Sequence, residues 1–238
     1  MTTPILEIEN LVCGYDGQAV IKNISISLQR GSVIGLVGPN GHGKTTLLRA
    51  ISGLIKINSG SIRFRGEVVN GKDANQIVGK GIVHIPQGDL VFREMTVEEN
   101  LLMGAYLPDA HVKREERLSY VHRLFPKLKE RATQIASGLS GGERRMLGVG
   151  RALMSTSELL LIDEPSLGLA PIIIDQIYDV IKALRTEGRT LLVVEENASR
   201  LVDVADRIYL LDDGHIVWNG EGDDLMNNDV LMTTYLGG

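Results

Sequence analysis

The residues best suited to chemistry form a glycine-rich stretch in the N-terminal part of the chain. The segment Gly38 to Thr45 reads GPNGHGKT and satisfies the G-x-x-x-x-G-K-[ST] pattern of a phosphate-binding loop. The run VIGLV before it predicts a strand, and apolar residues follow it at helical spacing, at Leu47, Leu48, Ile51 and Leu54. Glycines let backbone N–H groups and a helix N-terminus approach phosphate oxygens. The alternative, a glycine-rich turn that binds nothing, is disfavoured because both the motif and its flanks match.

Two acidic residues lie where such a loop needs a partner. Lys44 is expected to neutralise phosphate charge, and the Thr45 hydroxyl to ligate Mg²⁺. The apolar run ELLLIDEP ends in Asp163 and Glu164. We expect Asp163 beside the Mg²⁺ and Glu164 where it activates a water for attack on the γ-phosphate. Alone, an acidic pair after a strand is often a solvated strand end, so this interpretation depends on the phosphate loop.

A second pair of carboxylates raises a question. The run LLVVEENAS predicts a buried strand that stops at Glu195 and Glu196. If this strand belongs to a polyphosphate site, a carboxylate at its end would repel the ligand. The surroundings of these two side chains therefore bear on function.

The remaining patterns predict the elements that position these residues. The first third contains β-branched runs broken by glycine turns, which are typical of strands. Helical spacing then runs from Val112 to Leu128, with Pro126 expected to break it. Two strands, ELLLID and TLLVVE, alternate with helix-spaced segments, which indicates a parallel sheet covered by helices; the second of these segments contains Leu201, Val202 and Ala205. LLDDGHIVWNGE predicts a hairpin.

A third motif identifies a family. LSGGE, Leu139 to Glu143, precedes the acidic strand by about one helix. The order GPNGHGKT, LSGGE, LLLIDEP closely resembles the nucleotide-binding subunit of ATP-binding cassette transporters, over essentially the whole chain. The resemblance implies an α/β P-loop NTPase fold with a mixed core sheet, an N-terminal antiparallel β region and an inserted helical lobe. We expect one domain over 1–238, with a core at 1–87 and 155–238 and the helical lobe at 88–154.

The resemblance also implies which residues bind ATP. Tyr15 matches the aromatic residue that stacks on adenine, with Val20 beside it, although a surface tyrosine is the alternative. Gln87 matches the glutamine that contacts Mg²⁺ or the attacking water. Ser140, Gly141 and Gly142 would close over ATP held by a second subunit, since their hydroxyl and amides lie at a helix N-terminus. The expected loop contacts are Gly38, Pro39, Asn40, Gly41, His42, Gly43, Lys44, Thr45 and Thr46; the His42 side chain is expected to face solvent.

Two positions depart from the family pattern. Glu196 stands where members usually carry a histidine that bonds the γ-phosphate, and Ala170 stands where many carry an aspartate. An ionised carboxylate ~4 Å from a phosphate charge would be repelled by up to about 4 kcal/mol at an effective dielectric near 20. Both departures resemble the LivF-type subunit of branched-chain amino acid uptake systems, which works beside a different ATPase subunit. We expect an asymmetric pair; the alternatives are that Glu196 is tolerated because another donor compensates, and that the second subunit is a copy of this chain.

Composition restricts the partners. A formal net charge of −5 argues against a general nucleic-acid binder, which needs clustered Lys and Arg. A single cysteine, Cys13, is expected to be a core thiol. The chain has no run of the ~20 apolar residues that would span a bilayer. Together with these observations, the resemblance implies a cytoplasmic ATPase that is peripheral on the inner face of the cell membrane and bound to permease subunits.

The resemblance further implies an extracytoplasmic solute-binding protein that acts through the permease. The nature of the transported solute is inferred from this resemblance alone. Urea, amides or another small polar solute therefore remain alternatives to amino acids. A non-transport member of the superfamily is a further alternative, although such proteins commonly carry a long coiled-coil insertion or two fused cassettes. A small-molecule kinase sharing the phosphate loop would leave LSGGE unexplained.

Overall fold

The computed structural model describes residues 3–88 and 90–235, which form an α/β fold with two sheets. The strands are β1 (Leu6–Tyr15), β2 (Gln18–Leu28), β3 (Val33–Val37), β4 (Ile57–Phe64), β5 (Glu67–Val68), β6 (Ile82–Ile85), β7 (Leu159–Asp163), β8 (Thr190–Glu195), β9 (Arg207–Asp212) and β10 (His215–Gly220). The helices are α1 (Lys44–Ile51), α2 (Ala74–Gly79), α3 (Val97–Met103), α4 (Pro108–Val112), α5 (Arg114–Leu124), α6 (Pro126–Glu130), α7 (Gly141–Leu153), α8 (Pro171–Thr186), α9 (Ser199–Val202), α10 (Gly222–Met226) and α11 (Asp229–Tyr235).

The central sheet has the strand order β10-β9-β3-β8-β7-β6. Its five strands from β9 to β6 are parallel, and β10 pairs with β9 in an antiparallel hairpin. Every residue of β3, β7 and β8 is buried, which explains why these strands read as apolar runs rather than alternating patterns. The predicted mixed core sheet and the C-terminal hairpin are confirmed.

The second sheet has the order β2-β1-β4-β5 and is antiparallel, as expected of the N-terminal region. Its inner face packs with α1 and with one face of the central sheet into a single apolar cluster. Cys13 lies in this cluster with no exposed surface, and burial raises the pKa of its thiol to about 11. The prediction of a core thiol is confirmed.

Helices fill the chain between β6 and β7. Buried residues of α3, α5, α6 and α7 share an apolar cluster with α8 and the other face of the central sheet. The helical spacing from Val112 to Leu128 is realised as parts of three helices, with breaks at Lys113 and Phe125. Pro126 begins α6, because the first position of a helix needs no backbone N–H.

Two predicted helices are shorter than their spacing suggested. Helix α1 ends at Ile51, and Gly53 follows at φ +68, so Leu54 leaves the helix and is 55% exposed. Helix α9 ends at Val202, before Ala205. In the described ranges, no helix is long and apolar enough to cross a membrane.

Candidate functional site

The site forms where three central strands end. The register pairs Val37 of β3 with Glu195 of β8, and Asp163 of β7 with Val194 of β8. Because the strands are parallel, the phosphate loop after β3, the acidic pair of β7 and the carboxylates that end β8 share one edge of the sheet. In open α/β sheets, ligands bind at this carboxyl edge.

Backbone conformation shapes the loop itself. Gly41 and Gly43 adopt φ values of +82 and +109, which side chains rarely tolerate. At Gly38, an added Cβ would lie 2.1 Å from the carbonyl oxygen of Leu211 on β9. The glycines are therefore needed both for the curvature of the loop and for its close packing on β9.

Lys44 is buried beneath the loop, with 2% of its surface exposed. Its Nζ donates to the carbonyl oxygens of Gly38 at 2.7 Å and Pro39 at 3.0 Å, and lies 3.5 Å from Oε1 of Glu164. The ammonium thus stands between the loop and the acidic pair. A cation in this position can neutralise an anion that enters the loop.

Asp163 and Thr45 meet at the base of the site. The Thr45 hydroxyl donates to Oδ1 of Asp163 at 3.2 Å, and Oδ2 of Asp163 is buried without a hydrogen-bond partner among the described residues. Burial raises the pKa of Asp163 above its usual range, although the Thr45 bond and the Arg145 charge act in the opposite direction. An unpartnered buried carboxylate oxygen beside a hydroxyl fits the oxygen donors that Mg²⁺ prefers.

Glu164 is held in an unusual backbone conformation. Its φ is +43, a region costly for residues with a side chain, and its N–H bonds the Val194 carbonyl at 3.0 Å. The amide of Gln87 donates to Oε2 of Glu164 at 3.0 Å. Both residues line a cavity of about 180 Å³ together with the loop residues Asn40, Gly41, Gly43, Lys44, Thr45 and Thr46.

The two carboxylates that end β8 point to different places. Glu196 is exposed and accepts a hydrogen bond from the Asn40 side chain at 2.9 Å, so it lies at the rim of the phosphate loop. Glu195 is 2% exposed and accepts from the Ser166 amide, the Ser166 hydroxyl and the Tyr178 hydroxyl. The hydrogen bonds of Glu195 therefore go to Ser166 and Tyr178, whereas Glu196 contacts the phosphate loop.

The structure places Tyr15 at the end of β1, beside α1. Its hydroxyl accepts a hydrogen bond from Arg49 at 3.2 Å, and the residue is 39% exposed. Val20 on β2 packs against the loop, since a Cβ added at Gly43 would lie 3.3 Å from its Cγ1. The β1–β2 hairpin thus borders the loop and leaves an aromatic side chain partly free.

The Ser-Gly-Gly segment begins α7. Ser140 is the N-cap: its hydroxyl accepts from the Glu143 amide, while the Glu143 carboxylate accepts from the Ser140 amide at 2.9 Å. Gly142 packs tightly, because an added Cβ would lie 2.8 Å from Ile173 of α8. Ser140, Gly141 and Gly142 are not among the described residues that line the phosphate-loop cavity.

The His42 side chain faces solvent only in part. Its side chain is 34% exposed, and its Nδ1 lies 2.8 Å from Oδ1 of Asp212 and 3.0 Å from the Asp213 amide nitrogen. The backbone turn at 212–214 approaches the loop closely enough to hold the ring, which a local pattern does not reveal.

Comparison with known proteins decides the family. A sequence profile of ABC transporters matches residues 21–167. The chain belongs to the ABC transporter family.

Full-length relatives agree with this assignment. The "High-affinity branched-chain amino acid transport ATP-binding protein BraG" of Pseudomonas aeruginosa is 44% identical, covering 98% of this chain and 100% of that protein. The "Probable branched-chain amino acid transport ATP-binding protein LivF" of Archaeoglobus fulgidus is 34% identical, covering 98% and 99%. The solved ADP conformation of an ABC transporter cassette is similar at a TM-score of 0.82 and 31% identity, covering 97% of this chain and 95% of that one. The predicted P-loop fold and ATPase class are confirmed.

Sequence reasoning missed one residue that organises this ABC ATPase site. Arg145 of α7 is 4% exposed and donates to the carbonyl oxygens of Pro86, Gly88 and Asp163 at 2.6, 2.9 and 2.7 Å. It therefore fixes the segment that carries Gln87 and the end of β7 to the helical region. An arginine on the apolar face of an amphipathic helix was the available signal, since a buried charge needs partners.

Proposed function

We propose that the chain is the ATP-binding and ATP-hydrolysing subunit of an importer for branched-chain amino acids. The observation that carries this proposal is that Lys44 and Gln87 both contact Glu164 at the phosphate-loop cavity of an ABC ATPase. The substrate class is supported by likeness to BraG and LivF, which are named for branched-chain amino acid transport.

The roles of the site residues follow from their contacts. We assign Lys44 to the phosphates, because its ammonium lies under the loop and close to Glu164. Glu164 is the general base, and Gln87 holds that carboxylate and the attacking water in line through the hydrogen bond that joins the two side chains. The left-handed backbone at Glu164 fixes the direction of its side chain.

Thr45, Asp163 and Gln87 are the proposed Mg²⁺ ligands. The unpartnered Oδ2 of Asp163 supports this assignment. No cluster of three or more His, Cys, Asp or Glu side chains in the described ranges could hold a metal. Mg²⁺ commonly takes only one or two ligands from the protein, and phosphate oxygens and water complete its coordination. When bound, Mg²⁺ would offset phosphate charge during hydrolysis.

Tyr15 and Val20 are assigned to the adenine end of ATP. The partial exposure of the Tyr15 ring and the packing of Val20 on Gly43 support this role. The start of α7 would bind ATP held by a second ATPase subunit, through the Ser140 hydroxyl and the amides of Gly141 and Gly142. These three residues do not line this chain's own phosphate-loop cavity.

The proposed assembly contains a different ATPase subunit, permease subunits and, through the permease, an extracytoplasmic solute-binding protein. In it, the chain lies on the inner face of the membrane, with 88–154 acting as a helical lobe. ATP binding would favour the closed pair, and hydrolysis would release it. The carboxylate of Glu196 at the rim of the phosphate loop supports an asymmetric pair in which the partner's site is better equipped.

Reconstitution tests this proposal. The tagged chain would be isolated from membranes, and the copurifying hydrophobic subunits reconstituted into vesicles that enclose the solute-binding protein. We expect ATP hydrolysis to rise with leucine, isoleucine or valine and to stay at its basal level in vesicles prepared without the solute-binding protein. Stimulation by urea or acetamide instead would contradict the substrate class, and copurification with DNA or RNA would contradict a transport role.

A further inference from the structure

His42 stands at the centre of a junction between three segments. On one side it belongs to the phosphate loop. Its Nδ1 lies 2.8 Å from Oδ1 of Asp212 and 3.0 Å from the amide nitrogen of Asp213, and the Gly214 amide donates to its carbonyl oxygen at 3.2 Å. The loop is thus tied to the β9–β10 turn through both the ring and the backbone of one residue.

The same turn is tied to the β1–β2 hairpin. Lys22 of β2 donates through Nζ to Asp213 at 2.7 Å, and its backbone amide donates to the Gly214 carbonyl oxygen at 2.8 Å. The contact leaves no room for a side chain, since a Cβ added at Gly214 would lie 2.0 Å from the carbonyl oxygen of Val20. The turn therefore connects the phosphate loop with the hairpin that carries Tyr15 and Val20.

The neighbours of His42 explain why this tie matters to the loop. His42 lies between Gly41 and Gly43, and both glycines adopt a positive φ. Glycine gives the chain more accessible conformations than any other residue, so a Gly-x-Gly segment is costly to hold in one shape. The ring of His42 is the side-chain anchor within this segment.

We infer that His42 is a positioning residue for nucleotide binding, which holds the Gly41–Gly43 segment in its receiving conformation through Asp212 and the 212–214 turn. The inference rests on the proposed nucleotide role of the loop. If the loop adopts its nucleotide-binding conformation in only a fraction of the molecules, the apparent affinity for nucleotide falls to that fraction of its full value. Because His42 acts through the loop as a whole, loss of the tie should weaken ADP and ATP binding by the same factor.

A pair of variants of nearly equal size separates the hydrogen bond from packing. His42→Leu removes the nitrogen that faces Asp212, whereas His42→Asn keeps a donor at the same distance along the side chain. Titration calorimetry of the full chain with Mg-ADP should show about three- to tenfold weaker binding for His42→Leu, the range of one partly exposed hydrogen bond. His42→Asn should bind within about twofold of the native chain by the same reasoning. Mg-ATP should show the same loss when measured on a Glu164→Gln background.

Asp212 supplies the second test. Asp212→Leu should weaken ADP binding by no more than His42→Leu does, because His42→Leu also removes the contact with the Asp213 amide nitrogen. The double variant should be no worse than His42→Leu, since both substitutions remove the same His42–Asp212 contact. Unchanged ADP affinity in His42→Leu, with only a lower thermal unfolding midpoint, would overturn the inference. So would additive losses in the double variant. Failure of the native chain to bind ADP would instead overturn the proposed function as well.

Discussion

Asn40 of the phosphate loop donates a hydrogen bond of 2.9 Å to the carboxylate of Glu196, the residue that follows β8. The bond holds a negative charge at the rim of a loop whose buried cation, Lys44, is suited to anions. The Nζ of Lys44 also lies 3.5 Å from the Asn40 side-chain oxygen. The acidic residue is therefore an ordered part of the loop's surroundings rather than a side chain turned away into solvent.

Removing this charge should change nucleotide preference. Glu196→Gln keeps the size of the side chain and an acceptor for Asn40 but removes the charge. Since ATP carries more phosphate charge than ADP, we expect ATP affinity to rise about two- to fivefold relative to ADP affinity, the range for an exposed charge. Calorimetry with both Mg-nucleotides, on a Glu164→Gln background, measures the ratio. An equal change for the two nucleotides would show that Glu196 does not sense the additional phosphate.

Glu195 should contribute to stability rather than to nucleotide binding. Its buried carboxylate accepts from the Ser166 amide at 3.1 Å, the Ser166 hydroxyl at 2.9 Å and the Tyr178 hydroxyl at 2.9 Å. Glu195→Ala should lower the free energy of unfolding in urea by about 2–4 kcal/mol, because buried donors lose their acceptor. Glu195→Gln retains an acceptor and should lose much less. Equal losses in the two variants would contradict this role.

The pH dependence of stability tests Glu195 further. Burial raises its pKa, although the Tyr178 and Ser166 hydrogen bonds act in the opposite direction. Below the usual glutamate range, the carboxyl group is protonated in both folded and unfolded states. As pH rises through the raised pKa, the folded state must ionise a buried group, so this contribution to stability falls. Glu195→Gln should therefore gain stability relative to the native chain as pH rises from about 4 to about 8. A constant difference would contradict the prediction.

Ala170 leaves helix α8 without a capping side chain. It occupies the N-cap position at φ −67 and ψ 146, the conformation in which a short polar side chain can accept from the first turn. Ala170→Asp should raise the free energy of unfolding by about 1 kcal/mol, since aspartate also interacts favourably with the helix dipole. Urea unfolding of the Asp and Leu variants checks this, because leucine cannot cap. Equal stability of the two variants would exclude a capping effect.

Local patterns predicted the parts of the fold that depend on local chemistry. The apolar runs of β3, β7 and β8, the phosphate loop and the acidic end of β7 are readable because burial on both faces and glycine conformation leave a direct mark on the sequence. Helix ends were less readable: α1 stops at Ile51 because Gly53 turns left-handed, whereas the apolar spacing continues to Leu54.

The unpredicted contacts join residues that are far apart in the chain. Asn40 and Glu196 are separated by 156 positions, and His42 and Asp212 by 170. Adjacent side chains of a strand point to opposite faces, so one of the two glutamates must enter the core and the other must face the rim. The sequence alone does not say which, because that depends on the register of the sheet. The partners of Arg145 were hidden for the same reason, since its three carbonyl acceptors come from segments before and after it.

ATP hydrolysis by the purified chain shows whether Glu196 weakens this nucleotide site. The rate with Mg-ATP would be measured for the native chain and for Glu196→His, with Glu164→Gln as the inactive control. We expect slow turnover by the native chain and a gain of roughly tenfold or more in Glu196→His, because a hydrogen-bond donor would replace a charge that opposes the developing phosphate charge. Rapid native turnover that Glu196→His leaves unchanged would contradict a site weakened by Glu196 and would favour a homodimer with two working sites.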